Sequence, residues 1–231
     1  MFRVVILGHG EMLGNLIAGV QDAKCKIVGV MRYERLNKLD IYTKIKDFIL
    51  PSTEYSYIKS YNVPELKSKS ANSEQFKKEI LKLNPDLVIV GTWGEKLKKE
   101  SIQLPKIAMI NVHPSMLPKY RGPNPYLETI RHLEKTTGIT FHLMSEEYDA
   151  GAILLQKQIE IKPNDTGKEL KERTVLIARQ AVTELLNSLA DDFIIPVDQS
   201  EERATYYPQI TRDDIMLDFN KTSEEISAHI R

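Results

Sequence analysis

The chain has 231 residues, enough to bury a full core as one large domain or one domain with an appendage, and its 32 basic and 32 acidic side chains cancel. That balance excludes the global field of a general nucleic-acid binder, so any RNA contact has to be a local patch, which counts mildly against a tRNA acceptor. Cys25 is the single cysteine, which excludes an internal disulfide, agrees with a reducing cytoplasm and is expected to be a small buried thiol.

In chain order, Met1 to Gly8 is a short apolar run entering a glycine turn, with no basic region or cleavage site around it. It reads as a first strand at 2–8, not a signal peptide. No apolar stretch approaches the roughly 20 residues needed to span a bilayer, so a soluble protein with no membrane partner is expected. Further strands are predicted near 26–32, 55–61, 86–91 and 107–112, alternating with amphipathic helices at 11–23, 36–48 and 73–84. In the last of these Phe76, Ile80 and Leu83 form one stripe, Ser73 is the N-cap, and Asn84-Pro85-Asp86 is the stop. Leu87 to Val90 is apolar throughout and predicts a central strand buried on both faces. This alternation predicts an α/β, Rossmann-like, mostly parallel twisted sheet with helices on both faces.

Beyond a proline-rich loop, Tyr126 to Glu134 reads as a helix and Gly138 to Met144 alternates as a strand. Ile153 to Ile161 is its expected antiparallel partner, and the connection between the two holds Asp149. Thr166 or Asp165 caps a long helix running to about Leu189, with Leu170, Val175, Ala178, Val182, Leu185 and Leu186 facing inward. Ser223 to Arg231 reads as a short capped helix.

The chemistry concentrates in Asn111-Val112-His113-Pro114-Ser115-Met116-Leu117-Pro118, with Lys119-Tyr120-Arg121-Gly122 behind it and Asp149-Ala150-Gly151 further on. Asn111 and His113 have the same parity at the end of an apolar run, so on a strand they face the same side and converge on one bound atom. Pro114 and Pro118 stop the strand and stiffen the loop. An amide, an imidazole and a carboxylate are the groups that acyl transfer needs: a donor for the oxyanion, an acceptor for the amine's proton, and a proton source for the leaving nitrogen. Taken singly, Asn111 and Asp149 are ordinary turn residues and His113 an ordinary core histidine; the set argues for chemistry. His142 reads as a satisfied structural histidine that faces the same pocket.

The order Asn-x-His-x-Ser-x-Leu-Pro-x-x-Arg-Gly followed by Asp-x-Gly resembles the formyltransferases that use 10-formyltetrahydrofolate, and the likeness covers residues 1–215. That family includes methionyl-tRNA formyltransferase, which is the best match, amino-sugar N-formyltransferases, glycinamide ribonucleotide transformylase and the formyltetrahydrofolate hydrolases. The resemblance implies that Asn111, His113 and Asp149 are the catalytic set. It implies that Ser115, Met116, Leu117 and Pro118 contact the folate and shape the site, with an X-Pro bond that is a candidate for cis. Gly91-Thr92-Trp93-Gly94 lies beyond a strand's carboxyl end, where open α/β sheets bind ligands. By resemblance it lines the pterin pocket, with backbone groups supplied by the loop from Glu146 through Tyr148 to Gly151. His9 and Gly10 are expected on the acceptor side, and Arg121 with Gly122 is expected to hold an acceptor phosphate or carboxylate. A domain boundary is expected at 203, with 204–231 a linker or the start of a C-terminal region that is absent or truncated.

Other readings compete. Gly8 to Gly14 suggests a dinucleotide turn, but the spacing is wrong, the second strand ends at Arg32 where an acid would hold a ribose, and Glu11 would repel phosphate at the helix N-terminus. The last point also disfavours glycinamide ribonucleotide transformylase. An amino-sugar formyltransferase and a hydrolase that uses the same three groups on water remain alternatives. The leading expectation is formyl transfer in the cytoplasm from 10-formyltetrahydrofolate to a primary amine, with initiator methionyl-tRNA as acceptor. No metal is expected, because His113, His142 and Asp149 lack a convincing ligand set.

Overall fold

The computed structural model describes residues 1–33, 47 and 49–231. Among these, a six-stranded sheet has the order β2-β1-β3-β4-β5-β6. Its strands are β1 (Arg3–Gly8), β2 (Lys26–Arg32), β3 (Leu87–Gly91), β4 (Ala108–His113), β5 (Thr136–Leu143) and β6 (Ile153–Glu160). The first four are parallel; β5 runs antiparallel to β4, and β6 antiparallel to β5. The helices are α1 (Gly10–Asp22), α2 (Thr53–Ser60), α3 (Glu74–Leu83), α4 (Lys99–Ile102), α5 (Pro125–Arg131), α6 (Gly167–Ala190) and α7 (Ser223–Ile230). Among the described residues no helix is long and apolar enough to cross a membrane.

Alternation along the central strands divides the core between the two sheet faces. Val4, Ile6, Leu87 and Ile89 pack with α1 and with Val175, Ala178, Val182 and Leu185 of α6. Val5, Leu7, Val88 and Val90 pack with Phe76 and Ile80 of α3. β1 and β3 are therefore buried on both sides, as their unbroken apolar runs require. Ser73 caps α3 by accepting from the Phe76 N–H, and Asn84 ends the helix in the left-handed region. Thr166, not Asp165, caps α6, in a reciprocal box with Glu169. Cys25 is buried in the first core face.

The strand expected at 55–61 is instead α2, Thr53–Ser60. Its tyrosines and isoleucine favour strands in isolation, but Glu54 and Ile58, four residues apart, form a buried stripe. Tyr57 lies against the bare backbone of Gly14 on α1. Packing on α1 overrides local preference. Beyond β2, among the described residues, the sheet is extended by a parallel bridge from Val30 to Glu65. The helix expected at 36–48 lies outside the described residues apart from Asp47.

Because β3 returns on the far side of β1 from β2, the chain reverses direction across the sheet between β1 and β3. A crevice opens at the carboxyl ends of such strands. Gly8, Gly91 and His113 all end their strands there. Residues after the long helix fold back onto this edge: Thr205 and Tyr207 exchange backbone hydrogen bonds with Pro118 and Arg121, and Tyr207 stacks on Tyr120. On α7, Ala228 is buried with Ile130 and Leu170.

Candidate active site

A cavity of about 530 Å³ opens at these strand ends. Its lining comes from the turns after β1 (His9) and β3 (Thr92, Trp93, Gly94), the end of β4 (Asn111, His113), and the β5–β6 connection (Glu146 to Asp149). Two aliphatic side chains of the sheet and its flanks, Val90 and Leu97, and Met144 form apolar wall.

Asn111 and His113 do share a face of β4, and cross-strand pairing sets His142 opposite Asn111 and Thr140 opposite His113. Asp149 reaches this group from a turn in which its own backbone is left-handed, φ +54°. Its Oδ1 lies 3.4 Å from His113 Nδ1 and 3.7 Å from His142 Nε2, and accepts from Asn111 Nδ2 at 3.3 Å. Its Oδ2 accepts from the Gly122 N–H at 2.9 Å. Gly122 has φ +116°, and a Cβ there would meet the Tyr207 carbonyl oxygen at 2.1 Å, so only glycine fits at the position that supplies this N–H.

The hydrogen-bond partners fix the imidazole tautomers. His113 Nε2 is 2.8 Å from the Tyr120 carbonyl oxygen, which can only accept, so Nε2 carries the hydrogen and Nδ1 is the nitrogen that titrates. His142 Nδ1 is likewise 2.9 Å from the Leu143 carbonyl oxygen, which leaves Nε2 to accept from Asn111 Nδ2 at 3.1 Å. His142 is thus a satisfied buried histidine and also a direct neighbour of the catalytic candidates.

Burial pushes the His113 pKa below its ordinary value, although Asp149 pulls the other way. At neutral pH the ring is uncharged and its Nδ1 lone pair faces a carboxylate. For Asp149, burial would raise the carboxyl, but His113, His142 and the Gly122 N–H together hold it at about 2. The pair is an anion beside an empty proton position.

Of the other expected site residues, Thr92, Trp93, Gly94, Glu146, Tyr148, His9 and Gly122 line the cavity. The segment Ser115 to Pro118 does not. Its polar atoms point into the protein: Ser115 Oγ donates to the Lys119 carbonyl, Thr140 Oγ1 donates to the Ser115 carbonyl, and Gln156 Nε2 donates to the Leu117 carbonyl. Ser115, Met116, Leu117 and Pro118, expected to contact the folate, thus lie outside the lining of this cavity. The segment braces the loop behind His113, and Leu117-Pro118 is its cis bond.

Arg121, expected to hold an acceptor phosphate or carboxylate, is not in the lining either: its guanidinium is buried, forked onto Glu201 and bonded to Gln199. Gly91, Gly10 and Gly151 are not among the lining residues; Gly10 has φ +59°, and a Cβ at Gly151 would meet the Leu143 carbonyl oxygen at 1.8 Å. Lining residues without a sequence signal include Tyr33, packed edge-on against Trp93, and Tyr206 and Gln209 from the tail. The run Tyr206-Tyr207-Pro208-Gln209 falls within the segment expected to be a linker, and nothing local to it specifies docking at the cavity. No group of three or more histidine, cysteine, aspartate or glutamate side chains able to hold a metal occurs among the described residues.

The formyl transferase family model matches residues 2–186. The methionyl-tRNA formyltransferase of Thermotoga maritima is 33% identical over 229 residues, spanning 99% of this chain and 72% of that protein. The enzyme of the same name from Enterococcus faecalis is 34% identical over 235 residues, spanning 100% of this chain and 72% of its own. Among solved structures, an N-formyltransferase from Helicobacter canadensis, in complex with folinic acid and dTDP-3-aminofucose, superposes with a TM-score of 0.76 at 20% identity. That match covers all of this chain and 80% of that one. Glycinamide ribonucleotide transformylase 1 from Symbiobacterium toebii gives a TM-score of 0.69 at 18% identity, covering 86% of this chain and 95% of that one. At those identities the structural likeness carries the fold.

Proposed function

The chain belongs to the formyl transferase family, and from that premise we propose that it moves a formyl group from 10-formyltetrahydrofolate to the amine of methionyl-tRNA, in the cytoplasm, through Asn111, His113 and Asp149. The observation that carries the reading is the convergence of an amide, an imidazole and a carboxylate at one end of the cavity. The cavity suits a flat heterocycle with a hydrogen-bonding edge. Val90, Leu97 and Met144 give it apolar walls, and the indole N–H of Trp93 is buried without a hydrogen-bond partner among the described residues. Thr92, Trp93, Gly94 and the Glu146 to Tyr148 loop are the residues that would hold the folate, which supplies the formyl group and leaves through its N10.

Each residue's part follows from its partners. Asn111 spends its two N–H bonds on His142 Nε2 and Asp149 Oδ1. The longer one, to Asp149, is exchanged for the carbonyl oxygen as that atom gains charge. A neutral donor in a dry site typically contributes about 3–4 kcal/mol. His113 takes the amine's proton at Nδ1, where its arrival turns a lone pair facing Asp149 into an ion pair. Asp149 stays ionised and stabilises the imidazolium, which then returns the proton to the departing nitrogen. His142 holds the Asn111 amide in the orientation that donates.

The test is release of tetrahydrofolate from 10-formyltetrahydrofolate with no acceptor, with methionyl-tRNA, and with a panel of nucleotide amino sugars. Release only with methionyl-tRNA is expected. Release only with an amino sugar would move the acceptor, and release with none present would make the protein a hydrolase. His113→Ala and Asp149→Ala should each abolish turnover while folate binding survives.

A further inference from the structure

Arg121 and Gln199 belong to no step above, yet both are tied to the reacting groups. The Gln199 amide is fully used: Nε2 donates to the Asp149 carbonyl at 2.7 Å and the Gly151 carbonyl at 2.8 Å, and Oε1 accepts from Arg121 Nε at 3.2 Å and Nη2 at 2.9 Å. A flipped amide would set oxygen against two carbonyls and NH₂ against a guanidinium, so this orientation is the only one that satisfies all four bonds. The far side of Arg121 forks onto Glu201, with Nη1 to Oε2 at 3.0 Å and Nη2 to Oε1 at 2.8 Å. Next to Arg121, the Gly122 N–H holds the Asp149 carboxylate.

These contacts close a ring: from the Asp149 carboxylate to Gly122, through Arg121 to Gln199, and back to the Asp149 backbone. The same stretch of tail holds the histidine. Thr205 Oγ1 accepts from the Tyr120 N–H at 2.8 Å, the Thr205 carbonyl accepts from the Arg121 N–H at 2.9 Å, and the Tyr120 carbonyl takes the His113 Nε2 hydrogen. Asp149 sits in a left-handed backbone conformation, φ +54°, and two hydrogen bonds from the Gln199 side chain hold the carbonyls of that turn.

We propose that Gln199, oriented by Arg121 and Glu201, is a positioning residue for formyl transfer: it fixes the Asp149 turn so that the carboxylate stays on His113 Nδ1. The inference rests on the catalytic roles given to His113 and Asp149 above. Arg121 is thereby a strut of the active site and not a ligand for the acceptor.

The experiment compares wild type with Gln199→Leu, Glu201→Ala and, as a control, Thr222→Ala, which removes the cap of α7 without touching the ring. Gln199→Leu should lower kcat roughly 10- to 100-fold, because small misplacements of a catalytic group cost on that scale, with the folate KM within about twofold of wild type. Glu201 is exposed, so Glu201→Ala keeps the fold testable and should lower kcat about threefold or more by freeing Arg121. Thr222→Ala should lower the Tm while leaving kcat unchanged. A second readout needs no turnover: the ring signals of His113, followed by NMR against pH, should show a lower midpoint in Gln199→Leu, since Asp149 raises the pKa of that ring. A kcat within about twofold of wild type in both ring variants, or an unmoved His113 midpoint, overturns the proposal. A wild-type protein that transfers no formyl group refutes the functional reading instead, and the titration still decides the clamp.

Discussion

Asp149→Asn separates the charge of the carboxylate from its shape. Asparagine tolerates the left-handed backbone at this position and keeps an oxygen for the Gly122 N–H, so the turn is preserved while the ion pair with protonated His113 is lost. Two unit charges 3.4 Å apart interact by about 5 kcal/mol at an effective dielectric of about 20. If that interaction develops only as the amine loses its proton, its loss slows transfer roughly 1,000- to 10,000-fold. Single-turnover release of tetrahydrofolate at saturating acceptor measures this step directly, and the folate KM should hardly change. The pH profile adds a sign. His113 must be uncharged to act, so the rate rises with pH through its pKa, which burial already holds below 6.5. Removing Asp149 lowers that pKa further, so the acid limb of the variant moves to lower pH. A variant that keeps kcat within about tenfold of wild type, or whose acid limb moves up, refutes the ion-pair argument.

Trp93 is the only tryptophan and lines the cavity, so its emission should change on titration with 5-formyltetrahydrofolate, in His113→Ala as much as in wild type; binding seen by calorimetry with no change in emission would remove Trp93 from the folate site. Asp149 is held at about 2 from an ordinary 3.8, which is about 2 kcal/mol of stability, present above about pH 4 and lost as the pH falls through about 2. Urea unfolding of wild type and Asp149→Asn should therefore differ at pH 6 and converge on acidification, and a gap independent of pH would contradict the assigned pKa. Thr166→Ala removes the reciprocal cap of α6 and should cost about 1 kcal/mol, a Tm lower by roughly 2–4 °C, with kcat unchanged.

Short-range patterns fixed much of the architecture in advance. Apolar runs at 2–8, 26–32, 86–91 and 107–112 became the four parallel strands, and the stripe Phe76, Ile80 with Ser73 ahead of it became α3, because which face a side chain presents depends only on helical or strand periodicity. The same rule put Asn111 and His113 on one face of β4, and two glycine-bearing turns brought Gly122 and Asp149 to them. The segment at 55–61 went the other way, since its aromatic residues suit either element and contact with α1 decides between them.

The tertiary structure alone decided the direction of Arg121, the sinking of Ser115 to Pro118 behind the cavity wall, the pairing of His142 with Asn111, and the arrival of Gln199, Tyr206 and Gln209 from the tail. An arginine after a proline-rich loop reads the same whether it meets a ligand or a glutamate from 80 positions along the chain. Residue type and spacing determine which groups this protein has for its chemistry. Which of them meet the substrate, and which hold the others still, depends on contacts between segments far apart in sequence, and those exist only once the core has closed.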